Sequence, residues 1–184
     1  MDERSTIDYI LAAVVALGAI AYFIYTQKRK ATLLTFPVSA GTDKNLENDL
    51  KVELTELHQQ AIDLAKASGT ILDESKQSIK ALDELLAKLH SDYKNGSLTD
   101  KQVNRAATAF GAYVGTLFTR YEGGAWFLST APGTNSPMPA IQFGEFGEAW
   151  PMLKVKKAIV NGPEDAILPY IVAMQRNQKK DNGA

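Results

Sequence analysis

A chain of 184 residues without a cysteine has no disulfide, no thiolate nucleophile, no iron–sulfur cluster and no thiolate zinc site. Its 20 Lys/Arg against 21 Asp/Glu leave a net charge of −1, so no overall electrostatic drive points toward nucleic acid. The length is enough for one domain with a real core.

The first predicted element is a membrane span. Tyr9 to Tyr25 holds no charged side chain, and Lys28, Arg29 and Lys30 close the run. At ~1.5 Å per residue the run covers roughly 26 Å, close to the ~30 Å hydrocarbon core. Tyr9, Tyr22 and Tyr25 stand at its ends, where aromatic rings settle at headgroups. Arg4 alone before the run, against three cations after it, orients the C-terminal side to the cytoplasm. A cleaved signal peptide fits less well, because the segment before the run is acidic and cations follow it. The reading is therefore a single-pass anchor over residues 1–30, with the bilayer as a partner.

Residues 31–44 read as a linker, with Thr35–Val38 as a brief edge strand limited by Pro37. Residues 45–92 read as a helical hairpin or stalk. Leu50, Leu54, Leu57, Ala61 and Leu64 form one 4-3 stripe, and Leu72, Ile79, Leu82, Leu86 and Leu89 a second. Ser68-Gly69-Thr70 separates them, with Thr70 and Asp73 as a helix start. One long helix is the alternative, since the register continues through Ser68, Ile71, Ser75, Ser78 and Leu82.

Residues 93–178 read as an α+β domain of helix, β-hairpin and helix. Asn95-Gly96 marks a turn, and Thr99 with Gln102 a capping box that starts a helix running to Tyr121. Gly111 and Gly115 on that helix predict close approach of another backbone, since glycine costs ~1 kcal/mol there. Residues 125–129 and 140–143 predict an antiparallel pair. Pro151 opens a short helix that Asn161-Gly162 stops, and Pro163-Glu164-Asp165 starts another. Residues 179–184 end the chain as a polar, disordered tail.

Chemistry is sparse. His58 and His90 lack the i, i+3 or i+4 companion of a metal site and read as surface residues. No serine has a nearby histidine or a glycine elbow, and no phosphate loop is present. No catalytic residue, cofactor or metal is therefore assigned. Glu122, Glu145 and Glu148 are the only carboxylates that suit a hydrolase-like alternative. Phe146 and Trp150, alternating with Glu145 and Glu148 in a loop-like stretch, are the candidate partner interface.

Three stretches carry a resemblance. Phe110-Gly111-Ala112-Tyr113-Val114-Gly115, Gly123-Gly124-Ala125-Trp126 and Asn161-Gly162-Pro163-Glu164-Asp165-Ala166-Ile167 resemble a set of uncharacterised bacterial domains over about residues 98–172. The resemblance implies a bacterial origin and an α+β domain, and with that origin the expected location of the anchor is a bacterial inner membrane, the N-terminus outside. In such domains an acid follows the second glycine; Thr116 stands there in this chain, so no role for that acid carries over. The function expected is a membrane-anchored protein-binding factor of adaptor, assembly, secretion-accessory or immunity type with a cytoplasmic domain. A stalk that self-associates through residues 45–91 is the structural alternative.

Overall fold

The structure, a computed structural model, describes residues 44–143 and 147–172. It is an α+β domain, mostly helical, with one small sheet. In chain order α1 spans Lys44–Ala67, α2 Ser78–Lys94 and α3 Asp100–Tyr121. β1 (Ala125–Ser129), β2 (Met138–Gln142) and β3 (Glu148–Ala149) follow. Helix α4 covers Pro151–Asn161, a 3-10 turn covers Pro163–Asp165, and residues 167–172 are helical again.

Helix α3 is the central element, packed by both α1 and α4. The capping box forms as its residues require: Thr99 Oγ1 accepts from Gln102 N–H, and Gln102 Oε1 accepts from Thr99 N–H at 2.8 Å. Residues 109–115 are all buried, so a full turn and more of α3 faces protein on every side. That is possible because two of them are glycine. A Cβ on Gly111 would lie 2.5 Å from the Cα of Met152, and one on Gly115 would lie 2.1 Å from the Trp126 indole. The missing side chains let the start of α4 and the ring of β1 sit directly on the α3 backbone.

The sheet is antiparallel with order β1-β2-β3, and Phe127 stands opposite Ala140. Strand β3 is an addition to the expected hairpin; two residues are too few to show alternation in sequence. Gly124, at φ +99°, carries the chain from α3 into β1 where a Cβ would lie 2.7 Å from the Gln142 carbonyl oxygen.

The main core joins α1 and α2 to the rest through Ala61, Ala65, Leu82, Leu86, Phe110, Phe118, Ile141 and Ile159. A smaller cluster lies beside it, where Leu50, Leu54 and Leu57 of α1 meet Ala112 and Met152, with Trp126 and Leu128 packed against them.

Two expectations about helix starts are corrected. α2 begins at Ser78 rather than at Thr70, because Thr70 N–H instead closes the end of α1 on the Ala65 carbonyl at 2.8 Å. Pro163-Glu164-Asp165 form only the 3-10 turn; the next helix begins at 167, where Asp83 of α2 accepts from the N–H groups of Ile167 (2.7 Å) and Leu168 (2.9 Å). That is an N-cap supplied from another helix.

The membrane reading is also corrected. Among the described residues no helix is long and apolar enough to cross a membrane. The described helices are amphipathic instead: α1 sets Lys51, Glu56 and Asp63 against its leucines. The run on which the anchor rested, with Tyr9, Tyr22, Tyr25, Lys28, Arg29 and Lys30, lies outside the described residues. The transmembrane helix, the bilayer partner, the inner-membrane location and its topology are not carried further.

Candidate functional site

The densest polar arrangement among the described residues is built on Glu74, in the connection between α1 and α2. Glu74 is the one described non-glycine residue with a positive φ, +63°. A left-handed backbone there costs roughly 1–2 kcal/mol and needs compensation from its surroundings. The surroundings engage every polar group the residue has. Its N–H donates to Tyr113 Oη at 2.9 Å, and its carbonyl accepts from Tyr121 Oη at 2.9 Å. One carboxylate oxygen meets His58 Nε2 at 2.8 Å, and the other accepts from Arg120. Thus α1 contributes one partner and α3 contributes three.

Helical spacing explains how those partners meet. His58 lies four residues after Leu54 and three before Ala61, so it follows the buried edge of α1. Tyr113 lies three residues after Phe110 and four before Leu117, in the middle of the buried face of α3. The two rings stack at 5.2 Å and 27°. Arg120 and Tyr121 then emerge at the exposed end of α3.

Tyr113 starts a chain of hydrogen bonds. Its hydroxyl donates to Ser78 Oγ at 2.6 Å, and Ser78 Oγ donates to the Ser75 carbonyl at 2.6 Å. With the Glu74 N–H behind it, the run is consistent in direction and self-reinforcing. Burial raises the Tyr113 hydroxyl above its ordinary pKa, so it remains a donor at neutral pH. The Arg120 guanidinium, with a further contribution from His58, holds the Glu74 carboxyl below its usual range. The carboxylate therefore stays ionised and accepting, and His58 donates through Nε2.

These residues have the chemical types of a hydrolytic centre, yet the geometry is closed. Ser78 is 4% exposed and Tyr113 fully buried. The one proton of Ser78 is spent on a carbonyl. His58 Nε2 faces a carboxylate, and its Nδ1 is buried without a hydrogen-bond partner among the described residues. What the arrangement does is fasten the 68–77 connection onto α3.

The consequence at the surface is Ile71, which is 78% exposed, the most exposed of the large hydrophobic residues described. Leu72 beside it is buried. The segment thus presents an aliphatic side chain to solvent from a backbone that is fixed.

Of the residues expected at a partner interface, Phe146 and Glu145 lie outside the described residues. Glu148 is exposed on β3 and accepts from Ser129 Oγ at 2.5 Å. Trp150 is half-buried ahead of α4, with its Nε1 buried and without a partner among the described residues. Glu122 lies 3.9 Å from Lys76, so the two described acids of the hydrolase-like alternative are held by different neighbours. Among the described residues no group of three metal-ligating side chains comes together.

Neither histidine is the surface residue its sequence context predicts. His58 has a side chain only 12% exposed, and His90 donates from Nδ1 to the Ile159 carbonyl at 2.9 Å. Gly162 lies against the His90 ring, where a Cβ would come within 2.9 Å of Nε2. Their spacing to the leucine stripes was the available signal. Glu74 gave none, because its role depends on a backbone angle. Comparison of the chain with family models, with characterised proteins and with solved structures returns no significant match.

Proposed function

We propose that this chain is a protein-binding module whose contact point is the 68–77 connection, with Ile71 as its anchor. The observation that carries the reading is the combination of 78% exposure at Ile71 with four bonds fixing Glu74 three residues away. A rigid element loses little conformational freedom on binding, so an apolar anchor held on one contributes more of its burial to affinity. The closed hydrogen bonding of Ser78 and Tyr113 supports a binding role over a hydrolytic one. The resemblance to bacterial α+β domains is kept as a proposal about ancestry and adds no activity.

The test uses the full chain as bait in cross-linked cells, compared with Ile71→Asp and Val52→Asp. Both positions are exposed, Val52 at 61%, but Val52 lies on α1 away from the fixed connection. A partner reduced at least about tenfold by Ile71→Asp and unaffected by Val52→Asp is the expected result, the loss of an interface anchor being worth ~2 kcal/mol or more. A set of partners that Ile71→Asp leaves unchanged overturns the reading.

A further inference from the structure

The exposed isoleucine lies in register with the buried stripe. Counting from Leu50 in steps of four and three gives Leu54, Leu57, Ala61, Leu64, Ser68, Ile71, Ser75, Ser78, Leu82, Leu85 and Leu89. The register is unbroken, although the helix is broken between Ala67 and Ser78. Leu50, Leu54, Leu57, Ala61, Leu82, Leu85 and Leu89 are buried, while Ile71 faces solvent. An apolar residue at the correct phase of a stripe, in a segment folded so that it cannot use that phase, points to a second conformation in which it does.

The break itself is held at some cost. Gly69 has φ +78° and Glu74 has φ +63°, both left-handed, and a Cβ on Gly69 would meet nothing. A side chain at 69 would therefore be opposed by the backbone angle alone, and the same change would favour a helix.

Resting on the reading of Ile71 as a contact residue, though with the 68–77 connection refolded rather than held bent, we infer that its partner is a second copy of this chain, joined by exchange of α1. Residues 68–77 straighten and α1 and α2 become one helix, roughly 75 Å long at ~1.5 Å per residue. That carries Leu50, Leu54 and Leu57 out of reach of their own α3. The surface that fits them is the one they already cover, formed by Ala112, Met152, Trp126 and Leu128, now on the other copy. The exchange reproduces the contacts of α1 with that surface, as swapped elements do, and gives up those it makes to the bent connection. The two straightened segments cross near the twofold axis, where Ile71 meets Ile71. The bonds of Glu74 to His58, Tyr113, Tyr121 and Arg120 and the burial of Leu72 belong to the bent form and oppose the exchange. Helix formation, relief of the two left-handed residues and burial of Ile71 favour it.

The native chain has no cysteine, so single cysteines report proximity cleanly. Full-length Ile71→Cys and Val52→Cys are oxidised at equal concentration and resolved without reductant. Ile71→Cys should form covalent dimer at least about tenfold faster, since a cysteine pair at the axis reacts at an effective concentration far above bulk. Adding Gly69→Ala should raise the dimer constant by about fivefold for each straightened segment, from the helix penalty of glycine, and raise helical circular dichroism. Glu74→Gln, which keeps the size of the side chain and removes its charge, should move the yield the same way and serves if Gly69→Ala folds poorly. Equal rates for the two cysteines overturn the exchange, as does a dimer yield that neither hinge substitution changes. That failure is distinct from failure of the binding reading, which turns on loss of captured partners with Ile71→Asp.

Discussion

Glu74 shows how much of a fold can rest on one side chain and its own peptide groups. Removing its charge in Glu74→Gln leaves a residue of the same shape that cannot form the ion pair with Arg120 or accept as strongly from His58. We expect a loss of about 1–2 kcal/mol in urea unfolding at pH 7, discounted because Arg120 is half-exposed. The pH dependence has a definite sign. The folded pKa of Glu74 lies below its ordinary 4.5, with Arg120 as the first cause, so the stabilisation is complete above that value. It is lost as the pH falls through the lower, folded value. The difference between wild type and Glu74→Gln should thus persist down to about pH 5 and shrink below about 4.5. A difference that vanishes already at pH 6 would assign the stabilisation to another group. Tyr113→Phe removes the hydroxyl on which Glu74 N–H and Ser78 both depend, and should cost about 1–3 kcal/mol in the same measurement.

At the scale of elements, the two glycines of α3 give the sharpest expectation. Gly111→Ala places a Cβ against backbone atoms of Met152, which cannot yield without moving α4. Gly115→Ala meets a ring that can move by displacing β1. Both should destabilise by about 1–3 kcal/mol, Gly111→Ala the more, as read by urea midpoints. If Gly111→Ala is neutral, the α3–α4 approach is wrong. Asp83→Ala removes the cap on residues 167–172 and should cost about 1 kcal/mol, with faster amide exchange at Ile167 and Leu168. The contrast between these sites explains what could be read in advance. Thr99 and Gln102 are three apart, and the glycines of α3 four apart, so local spacing carries their meaning. Asp83 and Ile167 are 84 positions apart, and nothing local to either links them. The exposure of Ile71, on which the proposed contact point rests, was illegible for the same reason: Ile71 looks like a stripe residue, and only the turn at Glu74 puts it in solvent.

For the whole molecule, the division of the core matters most. Among the described residues every α-helix is amphipathic and shares a protein core. That core has two parts, and α1 bridges them: its Leu50, Leu54 and Leu57 belong to the small cluster, its Ala61 and Ala65 to the main one. Contacts in the small cluster are made by few residues, so α1 should open from its N-terminal half before the rest unfolds. Leu54→Ala deletes the middle of that cluster and should cost about 2–5 kcal/mol against local opening. In native-state hydrogen exchange the amides of α1 before Ala61 should then lose protection by at least about tenfold, while those in the buried centre of α3 keep most of theirs. Because α1 leaving its groove is also the first step of its exchange between copies, Leu54→Ala should weaken the dimer together with the closed form, whereas Gly69→Ala strengthens the dimer alone. Uniform loss of protection across α1 and α3 would mean that the two clusters unfold as one, and that α1 has no independent freedom to exchange.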